Sequence, residues 1–344
     1  MNQSILQIKK HFSIIPHSSC DVELRSGVWN PTAFMIHDES NMNKLFDILK
    51  DINGEHETKD IAARHQVSSA TVEGVLDYLT SLDVLEYPHS STENAFIGLS
   101  EQSRQETGSS LLPLLLVGDD TVCQEISRIV TRAGFRGSIK TMSLQNDIIK
   151  HIKSNSQWSF DYFMMQETED KCSEWKDHFI VLALSQNDPI LSMRINQIAH
   201  HLGISWIHGV IDGPFLFIGP TFFPNKGCCY QCFEQRVAMN LREYASYQRY
   251  KETMMQRASS VSDAEASYPL MHLLSSHLAM EIICYQRSKS CFTQSKVLSI
   301  YLPTMEICFN EVLRLSGCAV CGSHPHRDDQ QLYYDYQAVL EKTL

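Results

Sequence analysis

The sequence predicts an α/β protein in which a small N-terminal α+β module precedes a larger domain built on a parallel sheet. Two patterns carry this prediction: short strands followed by three helices over residues 1–90, and apolar strands that alternate with amphipathic helices beyond residue 110. A third pattern, two Cys-x-x-Cys pairs placed 89 residues apart, predicts a metal site in the larger domain. With 344 residues, of which 43% are hydrophobic, the chain is long enough for both parts.

The N-terminal segment, residues 1–90, predicts a winged-helix-like module. "DVELR" and "TAFMIH" have the composition of short strands, and apolar residues recur at helical spacing between positions 45 and 52. Two further helices are predicted over residues 58–67 and 69–82, the second with Ser68 or Ser69 as its N-cap. Strands followed by three helices in this order are typical of a winged helix.

The charge of this module indicates which partner it binds. Residues 1–100 contain 7 Lys and Arg against 14 Asp and Glu, and the helix at 69–82 carries Glu73 and Asp77 but no basic residue. Because phosphate contacts dominate DNA affinity, such a helix would be repelled by DNA, as would the chain as a whole at a net charge of −11. We therefore expect no nucleic-acid partner and favour recognition of a peptide at an exposed strand edge. A module used only for dimerisation or packing is the alternative.

A polar, Ser-rich stretch at residues 91–110 predicts a linker, and residues 111–344 form the second domain. Its first four strands are predicted at "LLPLLLVG", "GSIKTMS", "HFIVLALS" and "ISWIHGVID", with amphipathic helices between them. This alternation predicts a Rossmann-like parallel sheet. No segment approaches the about 20 apolar residues that a membrane span requires, and no signal peptide is evident, so we expect no membrane partner and a cytoplasmic location.

The two Cys-x-x-Cys pairs are Cys229 with Cys232 and Cys318 with Cys321. Each such turn directs two thiolates at one centre, and two turns complete the tetrahedron that Zn²⁺ prefers, at about 2.3 Å from each sulfur. Because four protein ligands leave no open position, this zinc would be structural and would fasten the C-terminal part to the sheet domain. A redox-active pair is the alternative, but two pairs in a reducing compartment favour zinc.

The loop after the first strand of the sheet is where glycines that bind phosphate are expected. A Gly-x-Gly-x-x-Gly loop would have glycine at positions 118, 120 and 123, whereas this chain has Gly118, Asp120 and Cys123. Adjacent acids disfavour a triphosphate, and side chains block close approach of the backbone. The sequence therefore gives only a weak indication of nucleotide binding.

A second candidate site follows the third predicted strand. Asn187 and Asp188 could hold a metal–phosphate group there, and Arg194 could neutralise its charge. The alternative is that Asp188 and Pro189 simply begin a helix, with Arg194 on its solvated face.

The order of these motifs, ending in "GPTFFPNKGCCYQCFEQR" and "EVLRLSGCAVCG", resembles the ThiF/MoeB type of ubiquitin-activating-like proteins. More narrowly, it resembles the branch that matures ribosomally made peptide natural products. The resemblance implies that the N-terminal module is a precursor-peptide recognition element, in which the leader peptide adds a strand in a groove between "TAFMIH" and the helix at 69–82. It also implies a homodimer. Only Asp188 and Arg194 match the family's Asp…Arg element, with one extra residue between them, and this departure and the incomplete glycine loop put ordinary adenylation in doubt.

Two functions are open at this point. The first is a leader-guided enzyme that uses ATP and Mg²⁺ to activate side-chain carboxylates or amides of the precursor, leading to cyclisation with loss of water. The second is a non-catalytic partner that binds the leader and presents the precursor to a separate cyclodehydratase. A sulfur-carrier-activating enzyme fits less well, because neither the N-terminal module nor the incomplete loop is expected of it. We expect the enzyme, in which the residues that serve the reaction are Gly118, Asn187 and Lys150 (with Lys153) for the nucleotide, Asp188 for magnesium and Arg194 for charge neutralisation.

Overall fold

The chain divides into two compact units, Met1–Gln105 and Glu106–Leu344. A computed structural model describes residues 5–29, 32–39, 43–87, 111–154, 162–224, 226–255 and 268–322. The predicted linker at 91–110 lies outside these residues. None of the helices within them combines the length and the apolar character that a bilayer crossing demands.

The N-terminal unit consists, in its described part, of short antiparallel strands and three helices. The strands are β1 (Gln7–Ile8), β2 (Ser13–Pro16), β3 (Asp21–Arg25), β4 (Ala33–His37) and β5 (Leu85–Glu86), and the helices are α1 (Leu45–Asp51), α2 (Thr58–His65) and α3 (Ser69–Ser81). β2, β3 and β4 form one sheet in that order, and β1 pairs with β5. The three predicted helices are confirmed, whereas β2 was not among the predicted strands.

Local sequence explains where these helices begin and end. Ser68 is the N-cap of α3, and its hydroxyl accepts a hydrogen bond from the Thr71 backbone N–H at 3.1 Å. Gln66 adopts a left-handed conformation and ends α2. One apolar face of each helix joins the sheet in a core that contains Val22, Leu24, Ile36, Leu45, Ile48, Leu49, Ile61, Val72 and Leu79.

The C-terminal unit is built on a seven-stranded sheet. Its strands are β6 (Leu114–Gly118), β7 (Ile139–Ser143), β8 (Phe179–Leu184), β9 (Trp206–Asp212), β10 (Phe215–Phe222), β11 (Lys296–Tyr301) and β12 (Glu306–Glu311), in the order β12-β11-β10-β9-β8-β6-β7. The pairs among β7, β6, β8 and β9 are parallel, and those from β9 to β12 are antiparallel. The four predicted parallel strands are therefore confirmed, and an antiparallel half that the sequence analysis did not predict extends the sheet.

Helices cover the parallel half of this sheet. They are α4 (Asp120–Arg132), α5 (Asp147–Ser154), α6 (Tyr162–Lys171), α7 (Pro189–Leu202), α8 (Tyr230–Asn240), α9 (Tyr244–Met255) and α10 (Tyr268–Ser288). β6 and β8 are buried along their whole length, which explains why they are apolar at every position. Because β6, β8 and β9 run parallel, their carboxyl ends meet at one edge, where ligands of open α/β sheets bind.

Glu281 of α10 is a buried carboxyl group that makes stability depend on pH. It accepts hydrogen bonds from the backbone N–H and the hydroxyl of Thr293, at 3.3 and 3.0 Å, yet burial raises its pKa to about 7. The folded protein thus keeps a proton that the unfolded chain releases near its ordinary value of 4.5, so this group makes the fold less stable as the pH rises from about 5 through 7.

We expect Glu281→Gln to remove most of that decline. The difference between variant and wild type in unfolding free energy should change by on the order of 2–3 kcal/mol between about pH 5 and pH 8, with the variant favoured at the higher pH. Urea denaturation at a series of pH values measures it. A difference that does not vary with pH would contradict the assignment.

Candidate functional site

Four cysteine side chains from two distant segments meet inside the C-terminal unit. The Sγ atom of Cys229 lies 3.9 Å from that of Cys232 and 3.6 Å from that of Cys318, and the Sγ atoms of Cys232 and Cys321 are 3.3 Å apart. All four sulfurs lie within 4.8 Å of one another, and all four residues are buried. The structure therefore brings together the two pairs that the sequence predicted to share one site.

Local geometry places each pair. Cys229 immediately precedes α8 and Cys232 lies in its first turn, so the two sulfurs point to the same side. Beyond β12 the chain returns along α8, where the guanidinium of Arg236 donates to the carbonyl of Leu313 at 2.7 Å. Gly322 follows the second pair, and a Cβ there would come within 2.3 Å of the Cys318 carbonyl oxygen, which explains the glycine.

The donor set fits a tetrahedral metal ion. Four sulfurs at about 2.3 Å from one ion are separated by roughly 3.8 Å, which is close to the observed spacing. The Cys229 thiol and the Leu315 backbone N–H, which points at the Cys232 sulfur at 3.3 Å, lower the pKa of Cys232, whereas the same contact between the two sulfurs raises the pKa of Cys229. Cys228 is buried next to the cluster, but it is not a member of it.

Gly118, the glycine of the predicted nucleotide loop, has a structural role in the packing of the sheet. Gly118 ends β6 with φ +147°, and a Cβ at this position would lie 1.8 Å from the carbonyl oxygen of Ala183 in β8. The glycine is thus required by the close approach of two neighbouring strands, whether or not a phosphate binds.

We expect Gly118→Ala to destabilise the protein strongly. The added methyl group would overlap backbone, which cannot move aside as a side chain can, and the cost should be about 2–4 kcal/mol. Chemical denaturation of the variant measures this. Gly74→Ala is the matched control, since nothing lies within 4 Å of a Cβ there and alanine favours a helix. Equal stability of Gly118→Ala and wild type would contradict the steric explanation.

The residues that follow Gly118 in the loop carry side chains, including those at the other two glycine positions, 120 and 123. Asp119 occupies the N-cap position of α4, but its side chain makes no capping hydrogen bond; its carboxylate instead accepts a hydrogen bond from the backbone N–H of Ser185, just after β8. Asp120 follows in the first turn, and Cys123 is buried, with its pKa raised to about 12 chiefly by that burial. Two carboxylates at this helix N-terminus oppose an anionic phosphate.

Two of the proposed metal–phosphate residues, Asp188 and Arg194, are buried and bind residues of α5; together with the partly exposed Lys153 they are here called the α5–α7 clamp. Asp188 is the N-cap of α7: one carboxylate oxygen accepts from the Leu191 backbone N–H at 2.9 Å, and the other lies 2.8 Å from the Lys153 ammonium. Arg194 donates to the carbonyl of Ile152 and is buried, contrary to the alternative that places it on a solvated face. Burial lowers the pKa of Arg194, and the nearby charge of Asp188 opposes that shift.

The other two predicted nucleotide contacts do not join this clamp. Asn187 donates through its amide to the carboxylate of Asp212 at 2.9 Å, and Lys150 is exposed on α5. No hydrogen bond or ion pair among the described residues joins Lys150 to Gly118 or to Asn187. Lys153 competes with a magnesium ion for the carboxylate of Asp188, and Asp119 and Asp120 oppose the charge of a triphosphate, so this arrangement is not that of an open magnesium–triphosphate site.

A groove in the N-terminal unit, here called the leader groove, lies where the resemblance placed a peptide site. Its volume is about 570 Å³, and its walls are β4 with the two residues after it, α1 and α3. β4 pairs only with β3 among the described strands, so one of its edges carries free backbone groups. The lining residues are Met35, Ile36, His37, Asp38, Glu39, Leu45, Ile48, Thr71, Gly74, Val75 and Tyr78.

A second cavity, here called the sheet-face cleft, was not predicted. It has a volume of about 520 Å³ and lies between the face of β9–β11 and the helices α8 and α9. His208, Val210 and Asp212 on β9, and Phe215 and Phe217 on β10, line it at every second position. The alternation of lining and non-lining residues along β9 and β10 is the sequence signal for the cleft, but β10 was not among the predicted strands.

Comparison with solved structures shows which folds this chain shares. The heterocyclase TruD matches with a TM-score of 0.63 and 18% identity over 93% of this chain and 43% of TruD. A heterocyclase in complex with substrate and cofactor matches with a TM-score of 0.62 and 18% identity, over 93% of this chain and 40% of that protein. The microcin C7 biosynthetic enzyme MccB, in complex with N-formylated MccA, matches with a TM-score of 0.51 and 11% identity, over 92% of this chain and 99% of MccB.

No protein-family model and no curated protein matches this sequence. The chain spans about two fifths of the length of the two heterocyclases. At these identities the likeness concerns the fold, and functions differ widely within one fold.

Proposed function

We propose that this protein binds the leader of a ribosomally made precursor peptide during maturation of that peptide. The observation that carries the proposal is the leader groove, which combines an apolar cavity with the free edge of β4. Its position agrees with the groove that the family resemblance implies.

Strand addition explains how a leader would bind. A peptide lying along β4 would pair with its free N–H and C=O groups, while alternate side chains enter the groove. The interior is apolar where Ile36, Ile48 and Val75 line it, and Asp38 and Glu39 lie at one end. A leader with apolar residues at every second position and a basic residue beside that acidic end fits this surface.

The fold neighbours support a role in peptide maturation. One is a heterocyclase that was solved with substrate and cofactor, and another is a microcin biosynthetic enzyme that was solved with N-formylated MccA. A narrower candidate is the type of enzyme that builds the bicyclic core of pantocin from two glutamates of its precursor, which the sequence resembles in composition.

Two versions of the role follow, and the contacts at the sheet edge favour the presenter. In that version the protein binds the leader and delivers the precursor to a separate cyclodehydratase. This agrees with a match to only 43% of TruD, because the rest of that heterocyclase has no counterpart in the match. In the enzyme version the chain itself binds ATP and Mg²⁺, in agreement with its match to nearly all of MccB. The occupied carboxylates of Asp119 and Asp188 weigh against the second version.

The metal that we propose for the four cysteines is Zn²⁺ in a structural role. Four thiolates leave no position for water, so the ion would hold the segment after β12 against α8 and take no part in chemistry. A homodimer and a cytoplasmic location complete the proposal; the reducing cytoplasm would keep the cysteines available as thiolates.

One experiment tests the function and separates its versions. The purified protein is mixed with ATP and a candidate precursor peptide, and leader binding, nucleotide release and peptide mass are measured. Binding with unchanged mass and no nucleotide release is expected, and addition of the separate cyclodehydratase should then cause loss of water. Loss of water without a second enzyme would establish the enzyme version, and absence of leader binding would refute both.

A further inference from the structure

The lining of the sheet-face cleft includes a buried histidine whose ring forms no hydrogen bond with the described part of the chain. His208 lies in the middle of β9 and is 2% exposed. Within the described part of the chain, neither ring nitrogen has a hydrogen-bond partner. The backbone oxygen of Gly219 lies near enough to act on the ring, but it does not complete a hydrogen bond of acceptable geometry.

The histidine is held neutral by its surroundings. Burial lowers the pKa of His208 to about 4, so at neutral pH the ring carries one N–H donor and one bare nitrogen acceptor. The Tyr230 ring contacts it edge-on, with centroids 5.2 Å apart. A buried polar group without a well-formed hydrogen bond costs stability, and His208 lines the cleft, so a hydrogen-bonding group that reached this ring from the cleft would recover part of that cost.

The walls of the cleft restrict what that ligand is. Beside His208 the lining is mainly aromatic and aliphatic, with Phe217, Phe233 and Tyr247 on opposite sides. The volume of about 520 Å³ lies in the range of small-ligand sites. An apolar body with one polar group is what such a cavity favours, because the ring would be buried against aromatic faces.

The charges that line the cleft disfavour an anionic ligand. Asp212 and Glu311 line it, and an anionic ligand would meet both carboxylates. Glu234 also lines the cleft and is paired with Lys251 at 2.6 Å. Arg236 is the cation that lines it, and this guanidinium donates to the backbone carbonyls of Leu313 and Arg314. Carboxylates and phosphates are thus disfavoured, and the neutral imidazole gives no charge for an ionic partner.

We propose that the sheet-face cleft binds an uncharged aromatic side chain that carries one hydrogen-bonding group, as tyrosine and tryptophan do, with that group placed against His208. The peptide nature of the ligand rests on the proposed function, whereas the chemistry of the ring rests on the cleft alone.

Small amides test this without any precursor. The full-length protein, carrying ¹³C-labelled histidine, is titrated with N-acetyl-tyrosinamide and with N-acetyl-phenylalaninamide, and the imidazole resonances are followed by NMR. We expect the tyrosine amide to shift the His208 resonance and to bind about three- to tenfold more tightly than the phenylalanine amide, which is the effect of one hydrogen bond.

Variants assign the effect to His208. His208→Phe should bind both amides equally. The control is His178→Phe, which changes another histidine with an unpartnered ring nitrogen. His178 directly precedes β8 and does not line the cleft, so this variant should behave as wild type. If His208→Phe does not fold, His208→Leu replaces it with the same expected result, and the wild-type resonance shift remains a readout. Equal affinity for the two amides in wild type, or no shift at His208, would overturn the proposal. Because no leader is present, this result is independent of leader binding.

Discussion

Replacement of Cys232 by serine is expected to abolish metal binding at the four-cysteine cluster and to lower the free energy of unfolding by more than about 4 kcal/mol. Cys232 is fully buried, and its sulfur lies within hydrogen-bonding distance of two other cysteine sulfurs and of the Leu315 backbone N–H. The loss of one thiolate opens the tetrahedron and leaves the remaining sulfurs buried without an ion. Metal analysis and chemical denaturation of the purified variant measure the two effects.

The neighbouring Cys228 offers a matched control. It is buried beside the cluster, its pKa is raised to about 12 by burial, and it is not one of the four ligand candidates. Cys228→Ala should keep about one zinc per chain and lose only the stability that a small core change costs, about 1 kcal/mol. A wild-type protein that contains no metal, or a Cys232→Ser variant with unchanged metal content, would contradict the structural-zinc assignment.

Replacement of Gly74 by phenylalanine is expected to weaken leader binding by about ten- to hundredfold. Gly74 lines the leader groove on α3, and nothing lies within 4 Å of a Cβ built there, so the new side chain would occupy the groove and not the core. A ligand that must displace or repack this ring loses about 1–3 kcal/mol. Fluorescence anisotropy with a labelled leader peptide measures the affinity.

Glu73→Phe is the control for this prediction. Glu73 lies next to Gly74 on α3 and is exposed, but it does not line the groove. The control should therefore bind the leader with nearly wild-type affinity, and both variants should show unchanged thermal unfolding. Similar loss of affinity in both would mean that the leader binds elsewhere on the module.

The sequence was informative where chemistry depends on local spacing. Cys229 and Cys232 are three residues apart, as are Cys318 and Cys321, and a Cys-x-x-Cys turn directs its sulfurs together in almost any fold. Ser68 likewise caps α3 as predicted, because capping involves only the next three residues. The apolar runs of β6 and β8 predicted buried parallel strands for the same reason.

The spacing left the role of a residue open where its type has more than one use. Gly118 resembles a remnant of a phosphate loop, but its contact with Ala183 requires a glycine for packing. Asp188 and Arg194 resemble catalytic residues, yet their observed partners are Lys153, Leu191 and Ile152. Spacing alone cannot distinguish these uses, since the partners lie on other elements.

The amino-acid order by itself determined the two-part organisation, the parallel half of the sheet and the set of four cysteines, because each depends on periodicity or spacing within a short segment. The tertiary structure alone decided the antiparallel half of the sheet and the cleft over it. Pro220 interrupts the pattern of β10, and the walls of the cleft come from strands and helices that are distant in the chain. A cavity exists only once such elements pack, so the position of His208 opposite Tyr230 is a property of the packed fold.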